Sequence, residues 1–279
     1  MGGTDLLWYF FLLAALQPML RQRLLDGWRR RLIGRIERKR GSRLILLVHR
    51  QESMSLLGFP LMRFIDLQDS EAIIRAMHLT DPEVAIDLVL HTPGGLVLSA
   101  SQIARAIKQR KGKVTVFVPH YAMSGGTLIA LAADEIVMCN HSVLGPLDPQ
   151  IGKFPAASLL KVVEQKPVED VDDETLILAD QAKKAMRQLE DLVREIMQGH
   201  YGEATVDELA ALLTQGKWTH DYPITCEEAS SFGMHVSTDM PAEILELMTL
   251  YPQPVRRVKS VEYGDEPLRR KIPTSPGGV

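Results

Sequence analysis

Two cysteines, Cys139 and Cys226, are all that the 279 residues contain, and no Cys-x-x-Cys pair exists. That excludes a disulfide framework and a thiolate zinc site. Cys139 sits in an apolar run and reads as a buried free thiol. No histidine or carboxylate spacing resembles a metal site, and neither a dinucleotide loop nor a phosphate loop is present. The expectation is therefore no metal and no cofactor. Net charge is only −3, which gives no global signature for nucleic acid as a partner. The longest early charge-free run, residues 6–20, is shorter than the ~20 residues of a spanning helix, and Gln17-Pro18 interrupts it. No Lys or Arg precedes that run, which speaks against a cleaved secretory leader. Internal repeats and low-complexity tracts are also absent.

What is present is an ordinary globular composition, 46% hydrophobic and 24% charged, on a chain long enough for one large core. The apolar run is followed by dense positive charge. Arg21, Arg23, Arg29, Arg30, Arg31, Arg35, Arg38, Lys39, Arg40 and Arg43 face only Asp26 and Glu37. This pattern predicts an N-terminal membrane anchor over residues 6–20, with lipid headgroups meeting the arginines and the folded body left in the cytoplasm. An interfacial amphipathic segment and a solvated basic linker are the alternatives. Three regions follow: residues 1–42 as anchor and basic segment, 43–251 as the folded domain, and 252–279 as a polar, proline-rich mobile tail.

Apolar runs at residues 43–49, 85–90, 114–118 and 135–139 read as buried strands. Helical patterns lie between them, at 70–79 with Ser70 as cap, at 98–109 and at 125–133. Strands alternating with helices predict a largely parallel α/β sheet with right-handed crossovers. The second half is more helical: a long amphipathic helix over 173–198, another over 205–213 with Thr205 and Glu208 as a capping box, and a short one over 225–232.

The chemistry points to His120-Tyr-Ala-Met-Ser-Gly-Gly-Thr127, between strand 114–118 and the next helix. A serine on such a strand-to-helix turn presents its hydroxyl at the tip, while the glycines admit a substrate carbonyl. Upstream, His91-Thr-Pro-Gly-Gly95 ends another strand and offers a second backbone donor for an oxyanion. His91 shapes the start of that turn. The plainer alternative for Ser124 is a helix cap, and for the glycines simple turn chemistry.

Taken with Leu144-Gly-Pro-Leu-Asp-Pro-Gln-Ile-Gly152, these motifs resemble the Clp protease/crotonase superfold. Within it the chain resembles the signal peptide peptidase A group, and most of all the serine dehydrogenase proteinase family, over residues 43–240. The resemblance implies a Clp/crotonase-like spiral of ββα repeats, peptide or protein substrates including membrane-derived fragments, and a homo-oligomer. It implies Ser124 as nucleophile and the amides of Gly95 and Gly125 as oxyanion donors, with Thr92 and Met123 lining the pocket. The Clp histidine has no counterpart, since Gly145 stands near its place and His141 comes too early. A lysine base is implied instead, with Lys166 and Lys184 both candidates and Lys183 facing water. A lysine base must be neutral near pH 7, which requires burial. His220-Asp221 reads as capping or core-edge packing. Two other readings remain: an acyl-CoA hydratase or isomerase of the same superfold, and a non-catalytic membrane scaffold.

Overall fold

The computed structural model describes the backbone of residues 3–49, 55–56, 59–60 and 63–251, and the side chains of residues 22–49 and 63–251. The tail expected beyond residue 252 lies outside the described residues. Five strands form the central sheet: β1 (Ser42–Val48), β2 (Ala85–His91), β3 (Val114–Val118), β4 (Glu135–Met138) and β5 (Val236–Ser237). They are hydrogen-bonded in strict chain order, and every pairing is parallel. All five residues of β3 are buried. A parallel strand covered on both faces is apolar along most of its length, so these strands read as near-continuous runs rather than as alternations, with Asp87 and Thr115 among the buried polar exceptions.

Alternate side chains divide the two faces. Ile86, Leu88, Leu90, Val114, Val116, Val118, Ile136 and Met138 enter the main core. There they meet α2 (Leu67–His78), α3 (Val97–Lys108), α4 (Gly125–Leu131), α6 (Asp173–Met197) and α7 (Glu203–Thr214). On the other face Val89, Phe117 and Val137 pack with Leu32 and Ile36 of α1 (Gly3–Arg40) and Ile244 and Leu247 of α9 (Ala242–Thr249). The long helix α6 folds against α5 (Ala156–Gln165) through Leu159 and Ala182.

Two expected caps moved. Helix α2 starts at Asp66, whose carboxylate accepts from the Asp69 amide while Asp69 accepts from Asp66 N–H. That reciprocal box satisfies two end amides at once and leaves Ser70 buried inside the helix. Helix α7 starts at Gly202 without a side-chain cap. The Thr–Glu box lies instead at Thr225 and Glu228, opening α8 (Cys226–Ser231).

Helix α1 is continuous through Gln17 and Pro18, where the sequence predicts an interruption. Proline removes one ladder bond, and the helix continues across it. Among the described residues no helix is long and apolar enough to cross a membrane, so the spanning anchor expected at residues 6–20 is not found. The basic segment is partly spent on folding. Arg29 donates to the Leu250 carbonyl at 2.6 and 2.9 Å. Arg40 pairs with Asp87, whose side chain is 3% exposed and also accepts from Ser42 Oγ at 2.6 Å. Removing one partner of a buried pair strands the other charge. Arg40→Ala should therefore lower unfolding free energy by about 3 kcal/mol, read as the urea midpoint; an unchanged midpoint would contradict this role.

Candidate active site

Strand β3 delivers the chain through Pro119 to a short bridge at Tyr121–Ala122, then Met123 and Ser124, and α4 begins at Gly125. Ser124 has φ 49° and ψ −117° and is the one non-glycine residue with positive φ among the described residues. Such a backbone costs a non-glycine residue on the order of 1–3 kcal/mol, and it persists only when the surroundings enforce it. They do so here. Met123 N–H donates to Thr92 O at 2.9 Å, and Gly126 N–H donates to Met123 O at 2.8 Å. Thr127 Oγ1, fully buried, lies 2.8 Å from the carbonyls of both Ala122 and Gly145 and accepts from Gly145 N–H at 2.9 Å. The Ser124 side chain makes no cap hydrogen bond to α4. The capping alternative is thus not the role it takes, and the hydroxyl sits on a strained corner.

The second glycine turn comes against this corner. Gly94 has φ 103°, and a Cβ there would stand 2.8 Å from Ser124 Cβ and 2.9 Å from Met123 O. A Cβ on Gly95 would fall 2.3 Å from Ile65 N. Both positions therefore admit glycine alone: the first faces the Ser124 side chain, the second a crossing backbone. That backbone is joined to the turn by Ile65 N–H to Gly94 O at 2.7 Å and Leu96 N–H to Ile65 O at 2.9 Å. Gly95 N lies 3.5 Å from where a Gly125 Cβ would be, so the two expected oxyanion amides are neighbours. No backbone carbonyl among the described residues accepts from either.

Neither expected lysine joins them. Lys166 is the exposed residue ending α5. Lys184 projects outward from α6, 67% exposed, and pairs with Asp180 at 2.5 Å. The desolvation that would hold a lysine neutral is absent at both in the isolated chain. His141 is exposed as well.

A histidine reaches the site from elsewhere. A cavity of about 340 Å³ is lined by Ser124, Gly95, Gly125, Asp148, His220 and Phe64, among others. The Tyr121–Ala122 bridge pairs with Val143–Leu144, which pairs in turn with Ile224–Thr225. This small sheet brings the Asp148 segment and the His220 loop beside the serine corner. His220 Nδ1 is 2.5 Å from Asp148 Oδ1, and Gln150 Nε2 donates to Asp148 Oδ2 at 2.6 Å. The Asp148 side chain is 2% exposed and that of His220 40%. Because a carboxylate only accepts, Nδ1 carries the hydrogen and Nε2 is left as the basic nitrogen. The Asp148 hydrogen bond, working against desolvation, holds the His220 pKa above its ordinary value. No hydrogen bond joins Ser124 Oγ to His220 among the described contacts; such bonds often tighten only around substrate.

The sequence places His220 in a capping or core-edge role, whereas its ring lines the cavity and pairs with Asp148, 72 positions away. Asp148 lies inside the Leu144–Gly152 motif, which was the available signal. Thr127 was likewise missed, its hydroxyl reading as an ordinary helical threonine.

A chain-ordered parallel sheet whose third strand feeds a strained serine beside a glycine turn defines the ClpP-like class of serine proteinases. The chain belongs to the ClpP-like SDH-type serine proteinase family, whose profile matches residues 1–276. Members of a protease family act on peptide or protein substrates. It is 48% identical over 264 residues to an uncharacterised protein of Methanocaldococcus jannaschii, covering 95% of this chain and 92% of that one. A second uncharacterised protein of the same organism is 49% identical over 274 residues, covering 97% and 93%. The probable protease SohB of Haemophilus influenzae is 37% identical over 81 residues, 28% of this chain and 23% of that one.

Proposed function

We propose that this chain is a serine peptidase in which Ser124 is the nucleophile and His220, oriented by Asp148, is the base. The observation that carries the reading is the single cavity lined by Ser124, Gly95, Gly125, His220 and Asp148. Ser124 Oγ bonds to the peptide carbonyl carbon as its proton passes to His220 Nε2, and the Gly95 and Gly125 amides take up the oxyanion. The C–N bond then breaks, and His220 returns the proton to the leaving amine. Water, activated by the same imidazole, hydrolyses the acyl-enzyme.

The Ser–Lys arrangement with Lys166 or Lys184 would need a second copy of the chain to bury one of these lysines. Exposed apolar side chains at Val162, Val168 and Ile177 of this region support a homo-oligomer without bringing a lysine to the cavity. The test is labelling by a fluorophosphonate probe in wild type, Ser124→Ala, His220→Gln, Lys166→Ala and Lys184→Ala. Label lost with Ser124 and His220 and kept with both lysine changes supports the reading. Label lost with either lysine, and kept without His220, returns the base to lysine.

Attachment to a lipid surface, with the folded domain on the cytoplasmic side, is the second part of the proposal. Arg30, Arg31, Arg35 and Arg38 remain outward on α1, beside the exposed Leu24 and Trp28. Each such charge contributes about 1 kcal/mol near an anionic surface. The triple change of Arg30, Arg31 and Arg35 to Glu should weaken co-sedimentation with phosphatidylserine vesicles by roughly a hundredfold or more. Equal binding to neutral vesicles would remove the electrostatic part, and no binding to either would remove the attachment.

A further inference from the structure

A second histidine–aspartate pair lies behind the glycine turn, and the proposed chemistry leaves it without a role. His49 follows β1 and is 3% exposed. Its amide donates to His91 O at 2.7 Å, extending the β1–β2 pairing by one step. Its ring bridges two elements: Nε2 is 3.1 Å from Asp69 Oδ2 on α2, and Nδ1 is 2.9 Å from Thr92 Oγ1. Asp69 Oδ2 also accepts the Asp66 amide at 3.1 Å, so the carboxylate is fixed by the start of its own helix.

The geometry favours one set of donors. With Asp69 as acceptor, the neutral His49 tautomer carries its hydrogen on Nε2 and offers Nδ1 as an acceptor. The Thr92 hydroxyl then donates to His49 Nδ1 at 2.9 Å in preference to the more distant Gly94 O at 3.4 Å, and its oxygen lone pair accepts Gly94 N–H at 3.2 Å. Gly94 N–H, Thr92 O–H, His49 and Asp69 make one directed chain. Thr92 is fully buried, and its carbonyl also receives Met123 N–H from the nucleophile turn.

We infer that Asp69, His49 and Thr92 are positioning residues that aim the Gly95 amide at the oxyanion. A glycine pair has no side chains to hold it, and its left-handed backbone is only one of many conformations open to it. The peptide before Gly94 is pinned at its N–H by Thr92 Oγ1. The peptide after it is pinned at its carbonyl by Ile65 N–H. The Gly95 N–H lies in that second plane, so its direction follows from the two pins. Cutting the first leaves rotation about the Gly94 bonds unopposed from that side. This inference rests on the peptidase reading, which assigns Gly95 its oxyanion role.

The experiment uses the full chain with Thr92→Val, Thr92→Ser, His49→Gln and Asp69→Asn. Two readouts are taken: steady-state cleavage of a fluorogenic peptide, and amide exchange by mass spectrometry over residues 92–96. Complete loss of one oxyanion donor costs about a hundredfold to a thousandfold in kcat. Misdirection of one should cost roughly tenfold to a hundredfold, in kcat, with KM little changed. Thr92→Ser should restore the rate, because it keeps the hydroxyl. Exchange over 92–96 should quicken in Thr92→Val and His49→Gln but not in Thr92→Ser, with α6 unaltered. Unchanged exchange in both would overturn the clamp. So would exchange quickened across the whole chain with a lowered melting point, or a loss carried by KM. If wild type cleaves nothing and takes no probe, the peptidase reading falls, while the exchange readout still decides the clamp.

Discussion

Ser124→Ala should abolish fluorophosphonate labelling and reduce peptide hydrolysis by about a millionfold, the loss expected when the nucleophile of a serine peptidase is removed. Ser124→Gly should lose activity as completely but behave differently on heating. At φ 49° and ψ −117° the backbone occupies a region open to glycine and costly for any residue bearing a Cβ. Alanine keeps that cost, whereas glycine relieves it by roughly 1 kcal/mol. The expected order of melting points is therefore Ser124→Gly above wild type, with Ser124→Ala near wild type. The interval should be about 2 °C for a domain of this size. Labelling that survives either change would mean that another residue is the nucleophile. Equal melting points would mean that the corner is relaxed in solution.

Asp148→Asn has the next largest expected effect. In the proposed mechanism the buried carboxylate fixes the His220 tautomer and stabilises the imidazolium that forms when the serine proton arrives. Its amide counterpart can do neither, and kcat should fall by about ten-thousandfold. The pH profile carries the finer test. Asp148 raises the His220 pKa above the ordinary histidine value, and a base works only when neutral. The acid limb of kcat/KM should therefore lie above that ordinary value in wild type and move to lower pH in Asp148→Asn. Stability runs the opposite way, because the raised pKa belongs to the folded state. The contribution of protonated His220 is whole below the ordinary histidine value and is lost as pH climbs through the raised one. Over that interval the proposed base should gain activity as the fold gives up some stability. An acid limb that stays in place in the variant would separate Asp148 from the base.

The parts of the molecule legible in the sequence were those with dense local signals. Residues 114–118 were read as a strand over their true bounds because Thr115, itself β-branched, is the one polar residue in an otherwise apolar run. The long helix from Asp173 was legible from its apolar stripe, and the paired turns at Gly94–Gly95 and Ser124–Gly125 from the close succession of glycines after strands. Elements with little internal pattern escaped: β5 has two residues, and neither α5 nor α9 was anticipated. The cap of α2 was misread because Ser70, Asp66 and Asp69 all suit a helix start, and only the reciprocal bonds of Asp66 and Asp69 decide among them. The proposed base was hidden for a different reason. Burial separates a neutral lysine from a solvated one, and it is a property of the folded surface. The pairing of His220 with Asp148 is made by three short strands far apart in the chain, so a search among sequence neighbours could not reach it.

Arg29, in the second half of α1, grips the Leu250 carbonyl at the end of α9, and its guanidinium lies 4.1 Å from the centre of the Tyr251 ring. Lys39 and Glu243 join the same two helices a few turns along. The domain is in effect a ring with a small gap. Bridging positions 29 and 251 with a short peptide would add little closure entropy, and the chain could then be reopened at a surface turn such as Gly152 without reordering a single strand of the sheet.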